Sequence, residues 1–183
     1  ISNGIEIVYE LCRNGTDIII TGEMGIGNTT TSAAIASVIL GIPAEITTGR
    51  GAGLDSSGMS RKIAAIHRAI KLNKPDPTDP IDVLSKLGGF DIAGMTGLFL
   101  GGAECGIPIV IDGVISAVSA CLAEMISPGC RDFMLPSHVS NEPSARLLLE
   151  KLGLKAPINA GFHLGEGTGG IMLLPLLDGA LAV

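Results

Sequence analysis

Short apolar runs alternate along the chain with longer segments whose apolar residues recur at helical spacing, the pattern of an α/β fold. Asp17 to Thr21 (DIIIT) is apolar without a break and β-branched, which predicts a parallel strand buried on both faces. Ile107 to Ile111 predicts the cleanest strand, and both runs are expected at the centre of the sheet. Phe133 to Pro136 predicts a further short strand and Pro157 to Asn159 a weak last one, while Ala44 to Thr48 reads as an extended piece. Helices are predicted over Thr29 to Leu40, Ser57 to Leu72, Pro80 to Leu87, Asp91 to Glu104, Gly113 to Ile126 and Glu142 to Leu152. The first has Asn and Thr as caps and stops at Gly41-Ile42-Pro43. A final helix over Gly167 to Leu177 is expected to bend or break near Pro175. Together these predict a mostly parallel, Rossmann-like three-layer sheet with helices on both faces, in one α/β domain over residues 1–183. The last helical segment is a candidate for a smaller helical domain.

Composition narrows the classes. The chain is 46% hydrophobic and 16% charged, which argues against disorder. With no Trp and one Tyr, its core must be aliphatic. The 26 glycines cluster in a few loops and read as tight turns and close backbone approach. The net charge of −6, the lack of any Lys/Arg run and the lack of interleaved aromatics argue against a nucleic-acid partner. The apolar run from Ile107 is cut by Asp112 and Gly113, so it is no membrane span. Cys12, Cys105, Cys121 and Cys130 form no metal pattern and read as buried free thiols, which suits a reducing cytoplasm. His67, His138 and His163 are too dispersed for a metal site. The chain opens at Ile1 directly into an apolar-periodic segment and closes on Leu181-Ala182-Val183, so a piece of a longer protein is expected.

In an open parallel sheet, ligands bind beyond the carboxyl ends of the strands. Four elements fall there: Gly22 to Thr30, Asp112-Gly113, Ser137 to Asn141 and Gly165 to Gly170. The first, with Gly25, Ile26, Gly27, Asn28 and Thr29, joins a strand to a helix, where free N–H groups and the helix dipole suit an anion. It is neither a Walker loop nor a full GxGxxG, and a turn packing helix against sheet explains it equally well. Gly49-Arg50-Gly51 is a second glycine loop with a cation, followed by Arg61 and Lys62, whose plainer reading is a solvated helix face. Glu166 stands among the glycines of GEGTGG, either as a helix cap or as a base tuned by partial burial. Asp112 reads as an N-cap or a buried carboxylate. Ser137 and Ser140 lack the G-x-S-x-G elbow of a nucleophile and read as polar loop and cap.

The stretches GEMGIGNTTTSAA from Gly22, GRGAGLDSSGMSRK from Gly49, GGFDIAGMTG from Gly88, IPIVIDG from Ile107, SHVSNEP from Ser137 and GFHLGEGTGG from Gly161 run over most of the chain. In wording and order they resemble the nicotinate-nucleotide–dimethylbenzimidazole phosphoribosyltransferases of cobalamin lower-ligand assembly. The resemblance implies the C-terminal half of a protein about twice this length, lacking the N-terminal part. It implies that a benzimidazole nitrogen attacks the anomeric carbon of nicotinate mononucleotide, releasing nicotinate and forming α-ribazole phosphate. It places the catalytic base on Glu166 and assigns Glu23 and Lys62 to the active site. It puts the nucleotide on the glycine loops (Gly25 to Thr29, Gly49 to Gly51, Gly165 and Gly167), with Asp112 and Ser140 near the reacting groups. It implies a cytoplasmic homodimer with no cofactor and no metal. One departure is Ser56, where relatives are expected to carry an acid. Against this stand a non-catalytic mononucleotide-binding domain, a Ser-dependent enzyme at Ser137 to Glu142 without supporting motifs, and an inactive fragment of the enzyme.

Overall fold

The computed structural model describes residues 1–51 and 53–183. Its sheet has three strands, β1 (Ile19–Ile20), β2 (Ile109–Ile111) and β3 (Met134–Pro136), all parallel, in the order β1-β2-β3. Around it lie α1 (Ser2–Arg13), α2 (Asn28–Leu40), α3 (Ala44–Thr47), α4 (Ser56–Asn73), α5 (Pro80–Leu87), α6 (Phe90–Cys105), α7 (Val114–Ile126), α8 (Pro143–Leu152) and α9 (Thr168–Leu181).

The register shows that helices cover both faces. Ile19 pairs with Ile109 and Ile20 with Val110, so Ile19 and Ile109 share one face while Ile20 and Val110 share the other. Gly102 of α6 is closed on by the Ile109 side chain, and Gly170 of α9 by the Ile20 side chain. The two helices therefore lie on opposite sides of the sheet. The core is aliphatic apart from Phe99, with Ile35, Ile92, Ile109, Val118, Leu122 and Leu148 fully buried. α1 crosses α6 where glycines let the backbones touch: a Cβ on Gly4 or Gly97 would run into backbone of the other helix.

β2 is the buried central strand expected from its apolar run, with all three residues buried. β1 is not central. It is the edge of the sheet among the described residues, and Ile18, Ile19 and Ile20 are each only half-buried. A continuous apolar run reports that both faces are meant to be covered; it carries no information about which side has a strand neighbour.

Five local expectations also change. Ala44 to Thr48 is not extended: Pro43 opens the short helix α3, and the Thr48 hydroxyl donates back to Ala44 O at 2.6 Å. α2 is not capped by Asn or Thr; its N-cap is Gly27 at φ 86°, and the Asn28 side chain turns elsewhere. α9 runs on through Pro175, which is exposed, so water can solvate the carbonyl that loses its partner. The weak last strand reduces to a single parallel bridge between His138 and Ile158. The four cysteines are free, but only Cys121 and Cys130 are buried; Cys12 and Cys105 are half-buried.

Candidate active site

The carboxyl ends of the three strands open into one cleft with about 270 Å³ of internal space. β1 leads into Gly22 to Asn28, β2 into Asp112 to Ser116, β3 into His138 to Glu142, and the loop His163 to Glu166 closes the remaining side. This is the place that strand direction predicts in a parallel sheet.

The Glu166 loop has an unusual backbone. Gly165, Glu166 and Gly167 are all left-handed, at φ 80°, 57° and 84°. Glycine accepts that conformation freely, but for a residue with a Cβ it costs about 1–2 kcal/mol. Glu166 is exposed at the cleft edge, and its backbone lies so close to Gly22 that a Cβ there would come within 2.9 Å of Glu166 C.

Immediately beyond the loop, α9 begins with no cap of its own. Asp112, from the end of β2, supplies it. Its Oδ2 accepts from Gly167 N at 3.0 Å, and its Oδ1 accepts from Gly169 N at 2.8 Å and Gly170 N at 3.2 Å. Asp112 is 4% exposed. The dipole of α9 is therefore already answered by a carboxylate.

α2 starts differently: its N-terminus has no side-chain cap. Asn28 instead donates to Glu23 Oε2 and, at 3.1 Å, to Asp91 Oδ2 at the start of α6. Glu23 is half-buried, and burial pushes its carboxyl above the usual range. The Asn28 hydrogen bond opposes this, while the nearby negative charges of Asp91, Asp112 and Glu166 add to it.

Behind the first turn of α2 lies Lys62 of α4. Its Nζ donates to Thr29 Oγ1 and to Gly49 O, each at 2.9 Å. Burial pulls its ammonium below the ordinary lysine value, against the opposing pull of Glu142. Glu142 in turn accepts from Gly51 N at 3.2 Å, so the second glycine loop is tied to the loop after β3.

The two serines differ in setting: Ser137 is buried and Ser140 lines the cleft. Ser137 Oγ lies 2.7 Å from Ile111 O and 2.9 Å from His138 Nδ1, wholly buried. Burial lowers the His138 pKa, and Asp112 partly offsets this. Ser140 Oγ accepts from Glu142 N at 3.4 Å, a weak loop bond. Neither serine has the geometry of an activated nucleophile.

Of the residues singled out in the sequence, Glu23, Gly25, Asn28, Thr29, Gly51, Asp112, Ser140, Gly165 and Glu166 all line the cleft. Lys62 and Gly49 stand directly behind this lining, and Gly27 and Gly167 are the N-caps of α2 and α9. Ile26 is wholly exposed, and Arg50 is turned onto its own loop, donating to Leu54 O at 2.6 Å; neither lines the cleft. Met24, His138, Glu142, His163 and Leu164 line it unannounced. Glu142 had read as the start of a helix, and nothing local to it signals a partner 91 residues away.

Residues 1–183 match the model of a family described as Phosphoribosyltransferase. The chain belongs to this family. Similar to this chain are two proteins named nicotinate-nucleotide–dimethylbenzimidazole phosphoribosyltransferase. That of Acetivibrio thermocellus is 49% identical over 98% of this chain and 51% of the relative. That of Clostridium acetobutylicum is 51% identical over 97% of this chain and 51% of the relative. The crystal structure of CobT from Thermus thermophilus superposes with a TM-score of 0.91 at 38% identity, covering 97% of this chain and 53% of that one. The chain spans about half the length of the curated relatives it matches. Among the described residues no helix is long and apolar enough to cross a membrane, and no cluster of three or more His, Cys, Asp and Glu could hold a metal ion.

Proposed function

We propose that this chain forms the nucleotide-binding half of an enzyme that moves ribose 5-phosphate from nicotinate mononucleotide to 5,6-dimethylbenzimidazole, giving α-ribazole phosphate and nicotinate. The observation that carries this reading is the composition of one cleft: an uncapped helix N-terminus backed by Lys62, facing two carboxylates in different environments, Glu23 and Glu166. The first arrangement suits a retained phosphate, the second a proton transfer.

In this reading the phosphate sits at Gly25 to Thr29, where helix dipole and backbone N–H groups attract it, and Lys62 adds positive charge from behind Thr29. The benzimidazole nitrogen attacks the anomeric carbon as the bond to the nicotinate nitrogen breaks, and that electron pair returns to the pyridine ring. Glu166 takes the N–H proton of the benzimidazole as general base. Glu23, bonded to Asn28 at the start of α2, adds a second carboxylate to the cleft, where a cationic pyridinium and an oxocarbenium-like sugar would sit. The names and identity of the relatives support the substrates. We read the complete protein as a cytoplasmic homodimer whose remaining part, outside residues 1–183, completes the benzimidazole pocket.

The test is nicotinate release by the complete protein from nicotinate mononucleotide, followed by chromatography with and without 5,6-dimethylbenzimidazole. Release that depends on the benzimidazole, with α-ribazole phosphate formed in equal amount, is expected. Calorimetric binding of nicotinate mononucleotide with no turnover would instead make the cleft a mononucleotide-binding site without catalysis.

A further inference from the structure

We propose that Asp112 is a positioning residue for Glu166: its buried carboxylate clamps the start of α9 and thereby holds Glu166 in the left-handed conformation that presents it to the cleft. This rests on the reading of Glu166 as the general base. Although Asp112 lies in the cleft wall, its two carboxylate oxygens already accept three backbone N–H groups, those of Gly167, Gly169 and Gly170. It is thereby occupied with the loop, which leaves it poorly placed to act on a substrate.

The anchor is rigid on the side of the sheet. Asp112 follows the fully buried strand β2; its N–H donates to Ser116 Oγ at 3.3 Å, and Ser137 Oγ lies 3.2 Å from its carbonyl. The far side is not rigid by itself. In α9 only Gly169, Gly170 and Leu173 are buried, and most of the helix is exposed. Three successive left-handed residues, one of them with a side chain, hold their shape only where the surroundings impose it. The clamp fixes the residue just after Glu166, and contact with Gly22 confines the residue itself. General-base catalysis depends on such fixed placement.

The chemistry of the clamp demands a carboxylate. An amide at this position offers one acceptor oxygen and turns an N–H₂ group toward a backbone N–H, so Asp112→Asn breaks at least one of the three bonds. In the complete protein, D112N should lower kcat by about 100-fold, the scale of a misplaced base, with KM for nicotinate mononucleotide changed less than about threefold. In an E166Q background the same change should cost less than about threefold, because the base it positions is already gone. Amide hydrogen exchange at Gly167, Gly169 and Gly170 should accelerate in D112N. D112S, smaller and free of overpacking, should behave alike and serves if D112N fails to fold.

Wild-type kcat in both folded variants overturns the inference while leaving Glu166 as base. So do losses from D112N and E166Q that multiply fully in the double variant, since Asp112 would then act on its own account. An E166Q enzyme with wild-type kcat overturns the reading of Glu166, and the inference falls with it.

Discussion

Lys62 Nζ lies 2.9 Å from Thr29 Oγ1, joining the middle of α4 to the first turn of α2. Its only other partner among the described residues is the carbonyl of Gly49, so this buried ammonium has no carboxylate within ion-pair distance there. A buried cation supported by neutral oxygens is costly to keep, which makes sense where an anion completes its surroundings. Lys62→Met keeps the length of the side chain and removes the charge. A hydrogen bond involving a charged group contributes about 1.5–3 kcal/mol, so the affinity for nicotinate mononucleotide should fall by about 10- to 100-fold. Calorimetry at two salt concentrations checks this; an unchanged Kd would assign Lys62 to packing alone.

Glu166→Gln keeps shape and an acceptor oxygen but cannot take a proton. Loss of a general base costs about 10² to 10⁴ in rate, so kcat should drop on that scale while nicotinate mononucleotide binds normally. Single-turnover kinetics measure the first and calorimetry the second. A kcat within about threefold of wild type would make Glu166 no more than part of the helix start.

Glu166 is also one of two non-glycine residues with a left-handed backbone among the described residues, the other being Lys74. Replacing it by glycine relieves about 1–2 kcal/mol of strain and gives back about 0.5–1 kcal/mol through the freer unfolded chain. Glu166→Gly should therefore melt slightly higher than wild type, by about 2 °C, while losing activity. A lower melting temperature would mean that the Glu166 side chain stabilises the loop. The opposite exchange, Gly167→Ala, should destabilise by about 1–2 kcal/mol, because Gly167 sits at φ 84°.

The pH dependence of stability should carry the mark of Glu23. Burial, with the charges of Asp91, Asp112 and Glu166, raises its carboxyl above the ordinary glutamate value. The folded protein then holds this proton where the unfolded chain has released it. The stabilising contribution is complete below the unfolded carboxylate pKa and is lost as pH rises through the folded value. Glu23→Gln cannot ionise and escapes this loss. Relative to wild type, E23Q should gain melting temperature as pH rises from about 4 to about 7. Parallel curves for the two proteins would mean that Glu23 does not titrate abnormally.

Much of this was legible in the sequence because it is local. The strand ends, the glycine loops and the helices from α4 to α8 follow from short-range pattern and turn residues. What escaped is long-range. That DIIIT forms an edge depends on what lies beside it, which no property of those five residues encodes. That Asp112 caps a helix 55 residues later, and that Glu142 closes on Gly51, depends on the sheet bringing them together. α3 was missed for a different reason: four residues are too few for a helical period to declare itself.

The free side of β1 has a practical consequence. α9, which packs on the Ile20 side chain of this strand, carries Ile171, Met172 and Leu176 half or more exposed. A strand without a neighbour, flanked by apolar side chains, is a template on which another strand can add. Produced alone, residues 1–183 should associate through this side more readily than a protein with a covered edge, although β1 is only two residues long. Purification of the bare chain is thus a problem of colloid chemistry before it is one of enzymology, and a proline at Ile18, ahead of the paired residues Ile19 and Ile20, is the natural remedy.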